Sequence, residues 1–144
     1  KIAIIERPSV NVGYLAFNTE KPRLKDPKVR QALSHAVDKN TLIKSIFAGL
    51  AIPAKNPFPP SIWSYNDAIK AYDYNPEKAK ELLAEAGWTD TNDDGIVDKN
   101  GQPLSFTIDT LEEHRNLAEG VLGSLPAAGC RSEETLLRKV CASP

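Results

Sequence analysis

The placement of proline divides this chain more sharply than any other residue type. Asp26-Pro27 and Asn75-Pro76 each join a helix-capping side chain to a proline that fits the first helical position. Between them, Pro53, Pro57, Pro59 and Pro60 rule out a regular helix or central strand across residues 51–74. Two helices bracketing a long irregular stretch is therefore the frame into which the remaining residues must fit.

After Asp26-Pro27, Val29, Ala32, Leu33, Ala36 and Val37 recur at three- and four-residue steps, which sets them on one helix face. Asp38 caps a second predicted helix, with Leu42, Ile43, Ile46 and Phe47 inward and Gly49 as its stop. This pair is the expected hydrophobic centre. After Asn75-Pro76, Ala79, Leu82, Leu83 and Ala86 form a stripe that Gly87 ends. The stretch 51–74 also carries Phe58, Trp63, Tyr65, Tyr72 and Tyr74, too many rings for a loose linker. It reads as a long ordered surface loop whose rings dock on the fold or face a ligand.

Strands are expected at residues 2–5 and 12–18. The second has apolar groups on both faces, as in a strand covered from both sides. Asn100-Gly101 is a two-residue turn signal within a hairpin over 95–109, setting Val97 opposite Leu104 with Phe106 and Ile108 continuing that face. Thr110 with Glu113 suggests a capping box for a last helix, whose inner face holds Leu117, Ala118, Val121, Leu122 and Leu125. Pro126 and Gly129 break it. Leu136, Leu137 and Val140 have helical spacing and predict a short tail helix within 132–140.

Lys and Arg number 18 against 19 Asp and Glu, a net charge of −1 that gives no reason to expect nucleic acid or an anionic membrane as partner. No apolar run is long enough to span a bilayer, so membrane insertion is not expected. Cys130 and Cys141 are the two cysteines; a disulfide closing that short loop and a pair of unbridged thiols are both compatible with the spacing.

Residues 90–98 read Asp-Thr-Asn-Asp-Asp-Gly-Ile-Val-Asp and follow the first nine positions of an EF-hand-type loop. Asp90, Asn92 and Asp94 would present side-chain oxygens, Ile96 its carbonyl, and Asp98 a further oxygen to a weak structural Ca2+. Gly101 stands where the bidentate Glu belongs, which favours the rival reading, an Asp/Asn-rich turn entering the hairpin. No other cofactor is indicated. His35 falls among polar positions of the first helix, and neither it nor His114 has a nucleophile placed by local motif. No catalytic constellation emerges, and an enzyme is not expected.

Two regions are candidates for ligand contact. The loop over 109–115 passes from a strand end to a helix N-terminus, where backbone N–H groups favour an anion and Arg115 adds a positive charge. The competing reading is a surface Arg paired with Glu112 or Glu119. In the aromatic loop, Trp63 and Tyr65 are candidate platforms for apolar side chains.

The succession Gly-Tyr-Leu-Ala-Phe-Asn-Thr-Glu-Lys-Pro, Asp-Pro-Lys-Val-Arg-Gln-Ala-Leu-Ser-His-Ala-Val-Asp-Lys, and Tyr-Asn-Pro-Glu-Lys-Ala-Lys-Glu-Leu-Leu-Ala-Glu-Ala-Gly-Trp is long and ordered. It resembles the C-terminal lobe of the dipeptide- and oligopeptide-binding family of extracellular solute-binding proteins. The resemblance implies an α/β fold, with a small mixed sheet flanked by helices as one lobe of a periplasmic-binding-protein-like architecture. It implies a partial lobe over 1–129 and a divergent tail over 130–144. It further implies noncovalent capture of a small peptide, delivery to an ABC-transporter permease, and a periplasmic or extracellular setting with a lipid anchor on the parent protein. A second lobe, absent here, would close the cleft. By that resemblance Asn18 and Thr19 lie near the cleft edge, while Thr110, Leu111 and Arg115 lie in the loop where relatives place ligand contacts. A standalone interaction module carrying a calcium-stabilised loop is the alternative.

Overall fold

The computed structural model describes residues 10–137, with four helices and two small sheets among them. The strands expected at 2–5 and the cysteine at 141 lie outside that range.

Helix α1 (Pro27–Ala36) begins where Asp26 accepts the Lys28 N–H at 2.8 Å, and helix α2 (Lys39–Ile46) where Asp38 accepts the Thr41 N–H at 3.0 Å. Helix α3 (Pro76–Glu85) starts with Asn75 accepting the Lys78 N–H at 2.9 Å. These side chains satisfy N-terminal donors that the helices themselves leave open. Gly87, at φ 82°, turns the chain out of α3, and Lys99 Nζ donates to the carbonyl of Ala86 at 2.7 Å.

The hydrophobic centre is α1 on α3, not α1 on α2 as the sequence suggests. Val29, Ala32, Leu33 and Ala36 meet Ala79, Leu82, Leu83 and Ala86, and the small residues in both stripes allow close approach of the helices. Helix α2 instead lies on helix α4 (Arg115–Ser124). Only Leu42 of α2 is buried; Phe47, expected inward, is 44% exposed because α2 ends one residue before it.

Strands β1 (Asp98–Lys99) and β2 (Gln102–Pro103) form the hairpin around Asn100-Gly101, antiparallel in register Asp98 with Pro103. Val97 and Leu104 meet as expected: the Leu104 N–H donates to the Val97 carbonyl at 2.8 Å and both side chains are buried. Strand β3 (Ser105–Leu111) buries Ile108 and Thr110 and pairs in parallel with strand β4 (Arg131–Leu137). The crossover between them is a 3₁₀ turn (Glu112–His114), α4, and a second 3₁₀ turn (Leu125–Ala128) that ends at Gly129.

Three expectations fail here. The tail predicted as a helix is strand β4, since residues 131–137 pair along the whole of β3. Residues 12–18 form no regular element and join no sheet among the described residues. The capping box also does not form: Thr110 is buried within β3, and α4 follows the 3₁₀ turn with His114 at its cap position and no side-chain cap bond.

Candidate functional site

The carboxyl end of β3, the acidic 3₁₀ turn and the first residue of α4 make one continuous corner. In parallel strand–helix–strand units, ligands collect outside the carboxyl ends of the strands, where the helix N-terminus points its N–H groups outward. Leu111 closes β3 there, half-buried and in register with Leu137. Thr110, just before it, is 8% exposed, and its hydroxyl donates to the Leu111 carbonyl at 3.4 Å.

Arg115 opens α4, but its charge is shared. Its Nε donates to Glu119 Oε1 at 3.0 Å, and Nη1 lies 3.6 Å from Glu112 Oε1. The sequence left two roles open for this side chain, and the ion-paired one is the one formed. With Glu112 and Glu113 beside it, the corner is not a simple anion hole.

The remaining candidates are dispersed. Asn18 sits in a turn where its side-chain oxygen accepts the Glu20 N–H at 3.0 Å, and Thr19 beside it is exposed. Trp63 is 97% exposed. Tyr65 is half-buried in its own loop, where its hydroxyl lies 3.4 Å from Asp67 Oδ1 and Lys55 Nζ stands 5.9 Å from the ring centre. Lys55 and Asp67 pair at 2.6 Å, which raises the lysine and lowers the carboxyl from their ordinary values. This pairing organises the loop without joining it to the β3–α4 corner.

The 90–98 loop directs its oxygens onto itself. Asp90 Oδ2 accepts the Gly95 N–H at 2.8 Å, Asp94 Oδ1 accepts the Ile96 N–H at 2.8 Å, and Asn92 Nδ2 donates to Asp94 Oδ2 at 3.0 Å. Asp98, 8% exposed, accepts from the Thr91 N–H at 3.0 Å and the Thr91 hydroxyl at 2.7 Å. Among the described residues no three His, Cys, Asp or Glu side chains gather as a metal site would require. The arrangement is that of a turn held by its own carboxylates.

Sequence reasoning missed a groove of about 440 Å3 between the start of α2 and the two ends of the aromatic loop, lined among others by Lys39, Lys44, Pro53, Tyr72 and Tyr74. His35 braces it. The ring nitrogen Nδ1 lies 2.8 Å from the Asp73 carbonyl, and the ring meets Tyr72 edge-on at 5.2 Å. The sequence placed His35 on a solvated surface; it is half-buried because a segment 38 residues away folds over it. No local pattern signals such a contact. Cys130 is 2% exposed and burial pushes its thiol up to about 12, so it is not a reactive group at neutral pH.

Comparison with known proteins places this corner in a fold. A family model described as bacterial extracellular solute-binding proteins, family 5 Middle, matches residues 1–133. The chain belongs to that family. Its sequence is 56% identical over 88 residues to heme-binding protein A of Haemophilus influenzae, covering 61% of this chain and 16% of that protein. It is 52% identical over 86 residues to the dipeptide-binding protein of Escherichia coli, covering 60% of this chain and 16% of that protein. Among solved structures, the oligopeptide-binding protein AppA of Bacillus subtilis in complex with a nonapeptide superposes with a TM-score of 0.78 at 36% identity. That match covers 85% of this chain and 25% of AppA. The chain thus spans about a sixth to a quarter of the length of these relatives. Its α/β architecture is that of a portion of a periplasmic-binding-protein lobe. Members of the family are solute-binding proteins, and no helix among the described residues is long and apolar enough to cross a membrane.

Proposed function

We propose that this chain is part of one lobe of a two-lobed peptide receptor that supplies an ABC importer from the periplasm or the cell exterior. Capture is noncovalent and involves no catalytic step and no cofactor. The reading is carried by the superposition of this chain, which contains the parallel β3–α4–β4 unit, on a portion of a protein solved with a bound nonapeptide.

In this reading Thr110, Leu111 and Arg115 face the ligand from the corner, and Asn18 and Thr19 form its rim. Trp63 and Tyr65 offer apolar surface from the aromatic loop. The opposing lobe and the membrane permease are the protein partners. A single lobe leaves the ligand half in water, so it forgoes the desolvation and preorganisation that give such sites their affinity. Hinge closure of the second lobe supplies both.

Calorimetric titration of the 144-residue chain with mixed di- to hexapeptides tests this. Weak or absent binding is expected, and affinity tighter than about 1 μM would overturn the half-site. Hemin is titrated in parallel, because one relative is named for heme; saturable hemin binding with no peptide competition would displace the peptide reading.

A further inference from the structure

Residues 55–67 close on themselves. At the neck, Lys55 and Asn56 stand opposite Asp67 and Asn66. Lys55 Nζ donates to Asp67 Oδ1 at 2.6 Å and to the Asp67 carbonyl at 3.1 Å, and Asn56 Nδ2 donates to the Asn66 carbonyl at 3.1 Å. The two asparagines also turn the chain on either side. Asn56 Oδ1 accepts the Phe58 N–H and Asn66 Oδ1 the Ala68 N–H, both at 3.0 Å. The result is an Ω-loop, a compact excursion whose ends lie side by side.

Two turns shape its interior. The Ile62 N–H donates to the Pro59 carbonyl and the Tyr65 N–H to the Ile62 carbonyl, each at 3.0 Å. Trp63 sits inside the second turn. Pro59 is buried, and Ile62 and Tyr65 are half-buried, whereas Trp63 is 97% exposed. Ordering a loop costs backbone entropy, and core packing does not offset it here, since Pro59 is the one buried residue over 55–67. Polar bonds across the neck hold the shape instead. A ring fixed in place before contact loses less freedom on binding, and Trp is among the side chains most enriched as binding anchors.

The geometry points to Lys55, Asn56 and Asp67 as positioning residues that preset Trp63 as an anchor for an apolar side chain of the bound peptide. The inference rests on the proposed receptor reading, and it adds what fixes one side-chain subsite. An exposed ion pair alone stabilises little. Lys55 does more than pair: it reaches a carboxylate, a main-chain carbonyl and, at 5.9 Å, the Tyr65 ring.

Two measurements test it. In the 144-residue chain, nitrogen relaxation reads the Trp63 backbone and indole N–H groups. Order parameters of about 0.85 are expected in wild type, falling below about 0.6 in Lys55→Ala/Asn56→Ala. Lys55→Arg can still donate to both oxygens of Asp67 and should stay rigid. The indole signal of Trp88, buried elsewhere, should not move, which separates a freed loop from a lost fold. If the double variant unfolds, Lys55→Ala alone is read in the same way. A Trp63 that is mobile in wild type, or rigid in the variant, overturns the inference.

The second measurement uses a chimera in which this chain replaces its matched segment of B. subtilis AppA. Peptides bearing Leu or Phe are compared with their Ala counterparts. Lys55→Ala/Asn56→Ala should lower the Leu-to-Ala and Phe-to-Ala affinity ratios about 10-fold. Trp63→Ala should lower them alike, and combining the changes should add nothing further. Unchanged ratios overturn the inference and leave the receptor reading standing. A folded wild-type chimera that binds no peptide overturns the receptor reading and the inference together. Should the chimera not fold, the series is titrated into the isolated chain at millimolar peptide with the Trp63 indole shift as readout. No difference between Phe and Ala peptides there overturns the inference.

Discussion

The Val97 N–H donates to the carbonyl of Gly129 at 2.9 Å, tying the end of the acidic turn to the residue that launches β4. Gly129 stands at φ 75°, and a Cβ there would meet Val97 Cγ1 at 3.1 Å and the Gly95 carbonyl oxygen at 3.3 Å. Both the left-handed backbone and the crowding select glycine. Gly129→Ala should destabilise the chain by about 1–3 kcal/mol. Thermal melts read the loss, and an unchanged melting temperature would show that the turn is not tied to β4 in solution.

Helix α4 approaches α2 through Gly120, where an added Cβ would collide with Leu42 Cδ2. Alanine favours a helix over glycine by about 1 kcal/mol, so the substitution carries opposing effects. The collision is with a buried side chain, and Gly120→Ala is expected to be net destabilising. Adding Leu42→Ala should recover part of the loss attributable to Gly120→Ala, giving a coupling of about 0.5–3 kcal/mol in a double-mutant cycle. Simple additivity would mean that the helices are not in contact at this point.

Asp38 caps α2 through both the N–H and the hydroxyl of Thr41. The hydroxyl bond is the main reason its carboxyl is held below the ordinary 3.8. A folded value below the unfolded one means that the contribution is fully present above that pH and lost as pH falls through the folded value. Asp38→Ala should cost about 1 kcal/mol at neutral pH. The gap between wild type and variant should narrow toward about pH 2.5. An equal gap at both pH values would contradict the assignment.

The bonds within the 90–98 loop predict that the turn stands without metal. Asp98→Ala strands the Thr91 N–H and hydroxyl and should cost about 1–3 kcal/mol. Each protein, wild type and variant, should melt at its own temperature with no difference between calcium and chelator. A rise of several degrees in calcium, abolished by Asp90→Ala, would restore the EF-hand-type reading.

What the sequence carried was chiefly local. Asp26-Pro27, Asp38 and Asn75-Pro76 start helices where they were expected, because capping involves groups only two or three residues apart. Asn100-Gly101 placed the hairpin for the same reason: the two residues stand at φ 55° and 69°, a conformation that this pair tolerates. The family resemblance was readable too, since it rests on the order of such local signals along the chain.

Partner choice was not readable. Nothing near Ala32 states that its neighbour is α3 rather than α2, and nothing near His35 states that Tyr72 folds over it. Leu136 and Leu137 suit a helix by spacing, yet residues 131–137 become a strand because β3 presents seven residues of unpaired backbone alongside them. Thr110 suits a cap by motif, yet it lies inside that same strand. Capping and turn formation are settled within a few residues of chain, so sequence determines them; sheet pairing and helix packing depend on surfaces brought together from far apart, and only the tertiary structure decides which ones meet.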